Sequence, residues 1–136
     1  MMSSLVVLDT SIFIDYLRQA RHQHRLEALT AIVRTSAVVL AELWRGATRP
    51  HERKFLTQLE ANHPVLVPTQ NNWIESGQIL ASLRAKHGFL PAKLRDLHFD
   101  VLIALTARSI GAQLITSNGT DFELIRKVRP FLLEVW

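Results

Sequence analysis

Cysteine is absent from the 136 residues of this chain. The chain therefore cannot form a disulfide bond, bind zinc through thiolates or use a thiol as a nucleophile. No apolar run approaches the roughly 18 residues that a membrane span needs, and the first residues lack the profile of a signal peptide. From these absences we expect a cytoplasmic protein with no membrane partner.

Glycine and proline are scarce, with five residues of each, and no stretch has low complexity. Hydrophobic residues make up 48% of the chain, which indicates an ordered protein. A chain of this length can bury most of its apolar surface in one core. We therefore predict a single domain over residues 1–136.

Acidic residues are outnumbered, with 12 Asp and Glu against 16 Lys and Arg and a net charge of +4 at pH 7. If several acids lie together, the remaining surface is more basic than this value indicates, which favours an anionic partner such as nucleic acid. The run RQARHQHR at residues 18–25 is predicted to be a solvated helix end or loop, with nucleic-acid or partner contact as the alternative. Its histidines, His22 and His24, do not share a helix face, which argues against a histidine metal site.

Strand-like segments begin near residues 5, 32, 65, 113 and 131, and helical patterns separate them. Such alternation predicts an α/β fold, a three-layer α/β/α sandwich with a central, mostly parallel sheet of four or five strands. In a parallel sheet with right-handed crossovers, the carboxyl ends of the strands meet at one edge. Ligands of such sheets bind outside that edge.

The almost wholly apolar residues 101–107 predict a helix that is buried nearly all round and that begins near Asp100. The preceding residues 89–99 contain Pro91 and are predicted to be an irregular loop. Asp96 in this stretch is predicted to have a loop or capping role, with contact to a metal ion or its water as the alternative.

Four acids from distant parts of the chain fall at predicted element ends: Asp9, Glu42, Asp100 and Asp121. Asp9 and Asp121 follow strands, whereas Glu42 is predicted in the first turn of a helix over residues 39–45 and Asp100 at a helix N-terminus. Taken singly, each acid is explained as a helix cap, a turn residue or a paired buried group. Taken together, all four converge on the edge of the sheet where ligands bind.

Gathered carboxylates repel one another and weaken a fold unless a cation neutralises them. The simplest cation is Mg²⁺ or Mn²⁺, because these hard ions take oxygen ligands and keep waters that a substrate phosphate can replace. Such an ion can activate a water and stabilise the charge that develops on phosphorus. The predicted chemistry is phosphodiester hydrolysis.

Four segments carry a resemblance to a known family: LVVLDTS at residues 5–11, AELWRGA at 41–47, DVLIALTA at 100–107 and GAQLITSNGTDF at 111–122. In this order, and over nearly the whole chain, they resemble PIN domains. Within that superfamily the chain looks like the VapC ribonuclease toxins of prokaryotic toxin–antitoxin pairs. None of the segments is decisive alone, but their combination is specific.

The resemblance implies a PIN-like α/β/α sandwich, one or two Mg²⁺ or Mn²⁺ ions, and endoribonuclease activity that is often directed at structured RNA such as tRNA. It also implies a homodimer and neutralisation by a cognate VapB-like antitoxin. By position, the family's acidic quartet corresponds to Asp9, Glu42, Asp100 and Asp121. The family's polar positions that support the acids or the metal-bound water correspond to Thr10, Thr116 and Asn118. The nearest basic residues in sequence, predicted to bind the RNA substrate, are Lys86, Lys93 and Arg95.

Two positions depart from the family's pattern. Helices that bear the second acid often carry a Thr or Ser cap, whereas this chain has Val38 and Val39 there, so a slight displacement of Glu42 is expected. Ser117 stands where a basic residue is common, which leaves one fewer phosphate contact beside the site. Neither departure removes an acid, and activity is still expected.

Two other classes of protein are considered. A phosphatase of the haloacid dehalogenase type also has an acid after its first strand, but it needs a second Asp two residues later, where this chain has Ser11. A non-catalytic PIN-like module that binds RNA or serves as a scaffold is the stronger alternative. The presence of all four acids favours the enzyme.

Overall fold

A computed structural model describes residues 4–136 of the chain. Its strands are β1 (Leu5–Leu8), β2 (Ile32–Ser36), β3 (Val65–Leu66), β4 (Gln113–Thr116) and β5 (Leu133–Val135). Its helices are α1 (Thr10–Gln19), α2 (Gln23–Ala28), α3 (Ala37–Gly46), α4 (Pro50–Asn62), α5 (Gln70–His87), α6 (Pro91–Ser109) and α7 (Gly119–Val128). In this part of the chain, none of the helices combines the length and apolar content that crossing a membrane requires.

The five strands form one sheet in the order β3-β2-β1-β4-β5, and every neighbouring pair is parallel. The central strand is β1, in which Val7 lies opposite Arg34 of β2 and Leu114 of β4. Helices cover the sheet, with α6 and α1 both packed against β4. The predicted α/β/α sandwich is confirmed, with five strands that are all parallel.

The strand order reverses at the centre of the sheet. From β1 the chain moves outward through β2 to β3, and it then returns to the other side of β1 to form β4 and β5. A crevice opens outside the carboxyl ends of the strands at such a reversal, here between β1 and β4. Asp9 follows β1 directly and Ser117 follows β4 directly. The topology therefore places both residues at the crevice.

The core is built from the central strands and from the second half of α6. Val6, Val7 and Leu114 are fully buried, as continuous apolar runs in a covered parallel sheet predict. All side chains from Val101 to Ala107 are also buried. The prediction of a helix buried nearly all round is therefore confirmed for residues 101–107.

The beginning of α6 was predicted wrongly. The helix begins at Pro91, so residues 91–99 are helical, and Asp100 is the tenth of 19 residues instead of a helix N-terminus. Proline is tolerated in the first turn of a helix because its missing N–H has no partner there. Leu97 is fully buried, and it lies one helical turn before the buried Val101, so it extends the buried face of the helix towards Pro91. Asp96 is exposed within α6 and is neither a loop nor a capping residue.

The beginning of α3 also differs from the prediction. The helix starts at Ala37, which places Glu42 in its second turn and not in its first. The expected lack of a Ser or Thr cap is wrong, because Ser36 Oγ accepts hydrogen bonds from the amides of Val38 at 3.1 Å and Val39 at 3.4 Å. By its backbone Ser36 is the last residue of β2, and its side chain supplies the cap. The helix that bears Glu42 is therefore capped in the ordinary way.

We predict that Ser36→Ala lowers the free energy of unfolding by about 1 kcal/mol, which corresponds to a fall in Tm of about 4 °C. The substitution leaves two amides of α3 without their acceptor at a site that is fully buried. Thermal unfolding measured by circular dichroism would test this. Thr57→Ala is the control, because it removes an exposed hydroxyl of α4 that donates to the carbonyl of Arg53. Equal Tm values for the two variants would contradict the capping role of Ser36.

Candidate active site

Asp9 lies at the centre of the crevice and is only 3% exposed. Its Oδ2 accepts hydrogen bonds from Thr116 Oγ1 at 2.8 Å and from Ser11 Oγ at 2.7 Å. The same oxygen accepts from the amide of Ser11 at 3.4 Å, so Asp9 is also the N-cap of α1. These contacts tie the end of β1 to the end of β4 and fix one carboxylate oxygen.

Glu42 reaches the crevice from α3 and is held by Thr10 of α1. Thr10 Oγ1 donates a hydrogen bond of 2.7 Å to Glu42 Oε1. Burial, followed by the negative charge of Asp9, raises the pKa of Glu42 above its usual range, although the Thr10 bond and Arg45 partly offset the rise. The packing of α1 against α3 therefore brings the second carboxylate close enough to sense the first.

Asp121 lies in the first turn of α7 and has two polar partners. Lys93 Nζ donates to Oδ1 at 2.9 Å, and Asn118 Nδ2 donates to Oδ2 at 3.3 Å. The amide of Asn118 also donates to Thr116 Oγ1 at 2.9 Å. Asn118 and Thr116 thus connect Asp121 to the hydroxyl that holds Asp9.

Asp100 is the fourth acid of the group and lies on α6. Burial, and then the charges of the other three acids, raise the pKa of Asp100 to about 8, against a smaller opposing effect of Lys93. Within residues 4–136, the carboxyl group of Asp100 has no hydrogen-bond or ion-pair partner. The carboxyl group therefore keeps its proton near pH 7 unless a cation approaches.

The charges of the other three acids act on Asp100 and that of Asp9 acts on Glu42, yet no three acidic or histidine side chains in the described part of the chain lie close enough to coordinate one ion. The two findings are compatible, because charges influence one another over distances well beyond the roughly 2.0–2.6 Å of a metal–oxygen bond. Lys93 also neutralises Asp121 in this arrangement. The donors are all carboxylate oxygens, which fit Mg²⁺ or Mn²⁺ in chemistry. Binding would require the carboxylates to draw together and Asp121 to exchange Lys93 for the ion.

The three predicted RNA contacts are separated by the structure. Lys93 is ion-paired with Asp121 inside the crevice, with the Lys93 side chain 38% exposed. Arg95 lies with Arg84 in a groove between α5 and α6. Lys86 is exposed in the last turn of α5. Their contacts with RNA stay predictions.

A second group of polar residues was missed from the sequence. Asp15 Oδ2 accepts from Ser117 Oγ at 3.0 Å and from His22 Nε2 at 2.9 Å. Burial alone would raise the pKa of Asp15, but these bonds and the charge of Arg21 hold it below its usual range. Ser117 also donates its amide to Ser11 Oγ at 3.1 Å, so the group adjoins Asp9. No local pattern links residues that are more than 100 positions apart.

A family model for the PIN domain matches residues 6–128, a range that contains all four acids. No curated protein sequence matches the chain significantly. Several solved structures do match. VapBC2 from Rickettsia felis, solved with a DNA fragment from its promoter, has 22% identity and a TM-score of 0.74, and the match covers 97% of this chain and 98% of that one.

Two further structures are similar over their full length. The DNA-bound VapBC of Salmonella typhimurium has 24% identity and a TM-score of 0.72, with 100% of this chain and 99% of that chain covered. VapBC-5 of Mycobacterium tuberculosis, a member of the VapBC family of toxin–antitoxin systems, has 23% identity and a TM-score of 0.69, with coverage of 98% and 100%. At these identities the likeness shows a common fold.

We predict that Asp100→Asn removes a pH-dependent loss of stability in metal-free buffer. The folded chain holds the Asp100 proton up to a pKa of about 8, whereas the unfolded chain releases it near 3.8. Between these values the folded state binds more protons, so the contribution of Asp100 to stability falls as pH rises. Asn cannot ionise. The Tm of Asp100→Asn minus that of the parent should therefore increase from pH 4 to pH 8.

Melting curves in EDTA at several pH values would give this difference. Asp96→Asn is the matched control, because it makes the same substitution one turn earlier in α6 at an exposed position. Its Tm difference from the parent should stay constant with pH. A constant difference for Asp100→Asn as well would show that Asp100 is not held among the other acids.

Proposed function

Because the chain belongs to the PIN domain family, we propose that it is an endoribonuclease that depends on Mg²⁺ or Mn²⁺ and acts as the toxin of a VapBC-type toxin–antitoxin pair. One observation carries the proposal. Asp9, Glu42, Asp100 and Asp121 lie near one another where the strand order reverses, and burial, followed by the charges of the other three acids, raises the pKa of Asp100 to about 8. A fold does not keep such a cluster for stability, because it costs free energy in the absence of a cation.

The metal ion would be held by the four acids. When bound, it supplies charge that activates a water and stabilises the phosphorus centre during displacement. The chain's own residues prepare the site. Thr116 and Ser11 fix Oδ2 of Asp9, which leaves Oδ1 for a ligand, and Thr10 fixes Oε1 of Glu42 in the same way. Asn118 orients Asp121 through Oδ2.

Lys93 has a second role in this proposal. Its ammonium group pairs with Asp121 while no cation is present, and this pairing neutralises part of the cluster. If Asp121 held the ion, the ammonium group of Lys93 would be available to a phosphate of the RNA. Lys86 and Arg95 are the other proposed phosphate contacts, and both are exposed. These contacts would position RNA without reading its sequence.

The proposed partner is a VapB-like antitoxin that masks the acidic crevice. An arginine side chain is suited to this task, because its planar fork can bond a carboxylate through two hydrogen bonds. The similar structures from Rickettsia felis, Salmonella typhimurium and Mycobacterium tuberculosis are described as VapBC. We also propose that the chain forms a homodimer and acts in the cytoplasm.

The alternative function is a non-catalytic PIN-like module that binds RNA or serves as a scaffold. The ion pair between Lys93 and Asp121 is the observation that favours it, because an internal ammonium group can replace a metal ion as the counter-charge. Asp100 argues against this alternative. Burial raises its pKa most, and the charges of the other three acids raise it further by more than Lys93 lowers it, so one lysine does not neutralise the cluster.

We predict that Asp9→Asn and Asp100→Asn each reduce metal-dependent RNA cleavage at least about 100-fold, because each loses a ligand of an ion that contributes several kcal/mol to the transition state. Cleavage of labelled RNA would be compared with Mg²⁺, Mn²⁺ and EDTA. Glu60→Gln, which neutralises an exposed acid on α4, should keep the parent's rate. Metal should also raise the Tm of the parent and of Glu60→Gln more than that of Asp100→Asn. The scaffold alternative would be favoured if the parent cleaved no RNA and metal raised the Tm of the parent and of Asp100→Asn equally.

We predict that a small neighbouring gene encodes the antitoxin. Its co-expression should restore the growth of cells that express this chain, and the two proteins should purify together. The neighbouring gene without its start codon is the control and should restore nothing. If no neighbouring reading frame restores growth or co-purifies, the toxin–antitoxin assignment fails, although the nuclease assignment can survive.

A further inference from the structure

A basic and aromatic cleft lies beside the acidic crevice. It has a volume of about 500 Å³, and its lining includes Arg21, His22, Gln23, His24, Arg25 and Trp136. We call it the Trp136 cleft. Arg21, His24 and Arg25 are exposed, and no residue that lines the cleft is acidic. The proposed nuclease site does not use these residues.

The Trp136 cleft is connected to the acids by a short series of hydrogen bonds. The amide of Trp136 donates to the carbonyl of Thr116 at 2.8 Å, and Thr116 itself holds Asp9. On the other side of the cleft, the carboxylate of Asp15 accepts hydrogen bonds from His22 Nε2 and from Ser117 Oγ. The cleft therefore opens at the same edge of the sheet as Asp9, where β4 and β5 end.

The segment that carries the basic residues is held in an unusual backbone conformation. Ala20 and His22 have φ values of 50° and 66°, in the left-handed region that residues other than glycine rarely adopt. Asp15 fixes this turn through its bond of 2.9 Å to His22, and its carbonyl accepts from the amide of Arg21 at 3.2 Å. Strain of this kind persists where the surrounding contacts determine the backbone. The cleft is thus preorganised.

The indole ring of Trp136 is also fixed. Its Nε1 donates to Glu134 Oε2 at 3.0 Å, and the ring of His22 lies 5.5 Å away, measured between centroids. The guanidinium group of Arg25 lies over the indole, 5.6 Å from its centroid. A flat aromatic ring with cations beside it suits a ligand that is both planar and anionic. Nucleotides have this combination, and proteins that hold single strands stack bases on aromatic rings next to basic residues.

We propose that the Trp136 cleft binds one segment of single-stranded RNA next to the cleavage site. A base stacks on the Trp136 indole in place of the Arg25 guanidinium group, which moves from the ring to a flanking phosphate. Arg21, whose guanidinium group lies 3.9 Å from Asp15 Oδ2 and whose side chain is 56% exposed, contacts a second phosphate. The proposal rests on the proposed function, because it takes the substrate to be RNA. An acidic protein segment would satisfy the arginines, but it would have no general need for the stacking surface. RNA is therefore the ligand that uses both features of the cleft.

Binding of a single-stranded oligoribonucleotide would be measured in EDTA, so that cleavage does not interfere. In the Trp44→Phe, Trp73→Phe background Trp136 is the remaining tryptophan of the three, and stacking should quench its fluorescence. Trp136→Ala should weaken binding about tenfold, whereas Trp136→Phe should keep most of the affinity. Arg21→Ala with Arg25→Ala should lower the slope of log affinity against log salt by about 1.4. The control pair Lys54→Ala with Lys127→Ala removes two exposed charges that do not line the cleft.

Three results would overturn the proposal. One is an unchanged affinity for RNA in both Trp136→Ala and the arginine pair. Another is an equal loss in the lysine control pair, which would indicate general charge attraction. The third is equally tight, Trp136-dependent binding of an acidic peptide of matched charge, which would make the cleft a protein-docking site. If Trp136→Ala lowers the Tm strongly, the exposed arginine pair and the fluorescence of Trp136 carry the test.

The failure of this proposal can be distinguished from failure of the proposed function. If the parent binds RNA through the cleft but cleaves none with either metal, the nuclease assignment fails and the cleft stands. If the parent cleaves RNA and the cleft variants bind and cleave it like the parent, the nuclease stands and the cleft assignment fails.

Discussion

Mutual repulsion of the carboxylates at the reversal between β1 and β4 is the constraint on which the rest of the site depends. Asp9 follows β1, and the other three acids lie on three different helices, so the packing of these elements has to hold the carboxylates together against their repulsion. Hydroxyl groups offset part of the repulsion, with Ser11 and Thr116 bonded to Asp9 and Thr10 bonded to Glu42. Lys93 offsets another part. The carboxyl group of Asp100 receives neither kind of partner in the described chain. Burial and then the charges of the other three acids raise its pKa despite Lys93, so the compensation is incomplete.

The parts of the fold that sequence reasoning predicted are those with strong local patterns. Strands β1, β2 and β4 begin at the predicted residues 5, 32 and 113, since they are largely apolar or β-branched runs beside clear breaks. The burial of residues 101–107 also follows from composition alone, because a helix without a polar face has to be covered. The position of Asp9 and Asp121 at one edge follows from the topology of parallel sheets. Asp100 and Glu42 were placed there from helix starts that are wrong, because Asp100 lies in the middle of α6 and Glu42 in the second turn of α3.

Other features depend on competition between local signals or on tertiary contacts. A proline such as Pro91 is equally compatible with a loop and with the first residue of a helix. The buried Leu97, which packs in the core as part of α6, favours the helix. Ser36 belongs to a strand by its backbone and caps α3 by its side chain. The pairing of Lys93 with Asp121 joins residues 28 positions apart, so spacing could not predict it. The bond between Asp15 and Ser117 is beyond sequence patterns for the same reason.

The same electrostatics explains why basic groups surround an acidic site. A phosphodiester substrate is anionic and is repelled by a cluster of carboxylates. An enzyme with such a cluster would therefore need one cation inside the cluster and other cations around it. In the proposed function, a metal ion within the cluster would remove the local repulsion, and basic side chains around it would attract the neighbouring phosphates. The chain has a net charge of +4 although these acids are concentrated at one edge, so its remaining surface is more strongly basic. Arg21 and Arg25 bring part of that charge to the edge that Asp9 occupies, because the bonds from His22 and Ser117 to Asp15 hold the turn there.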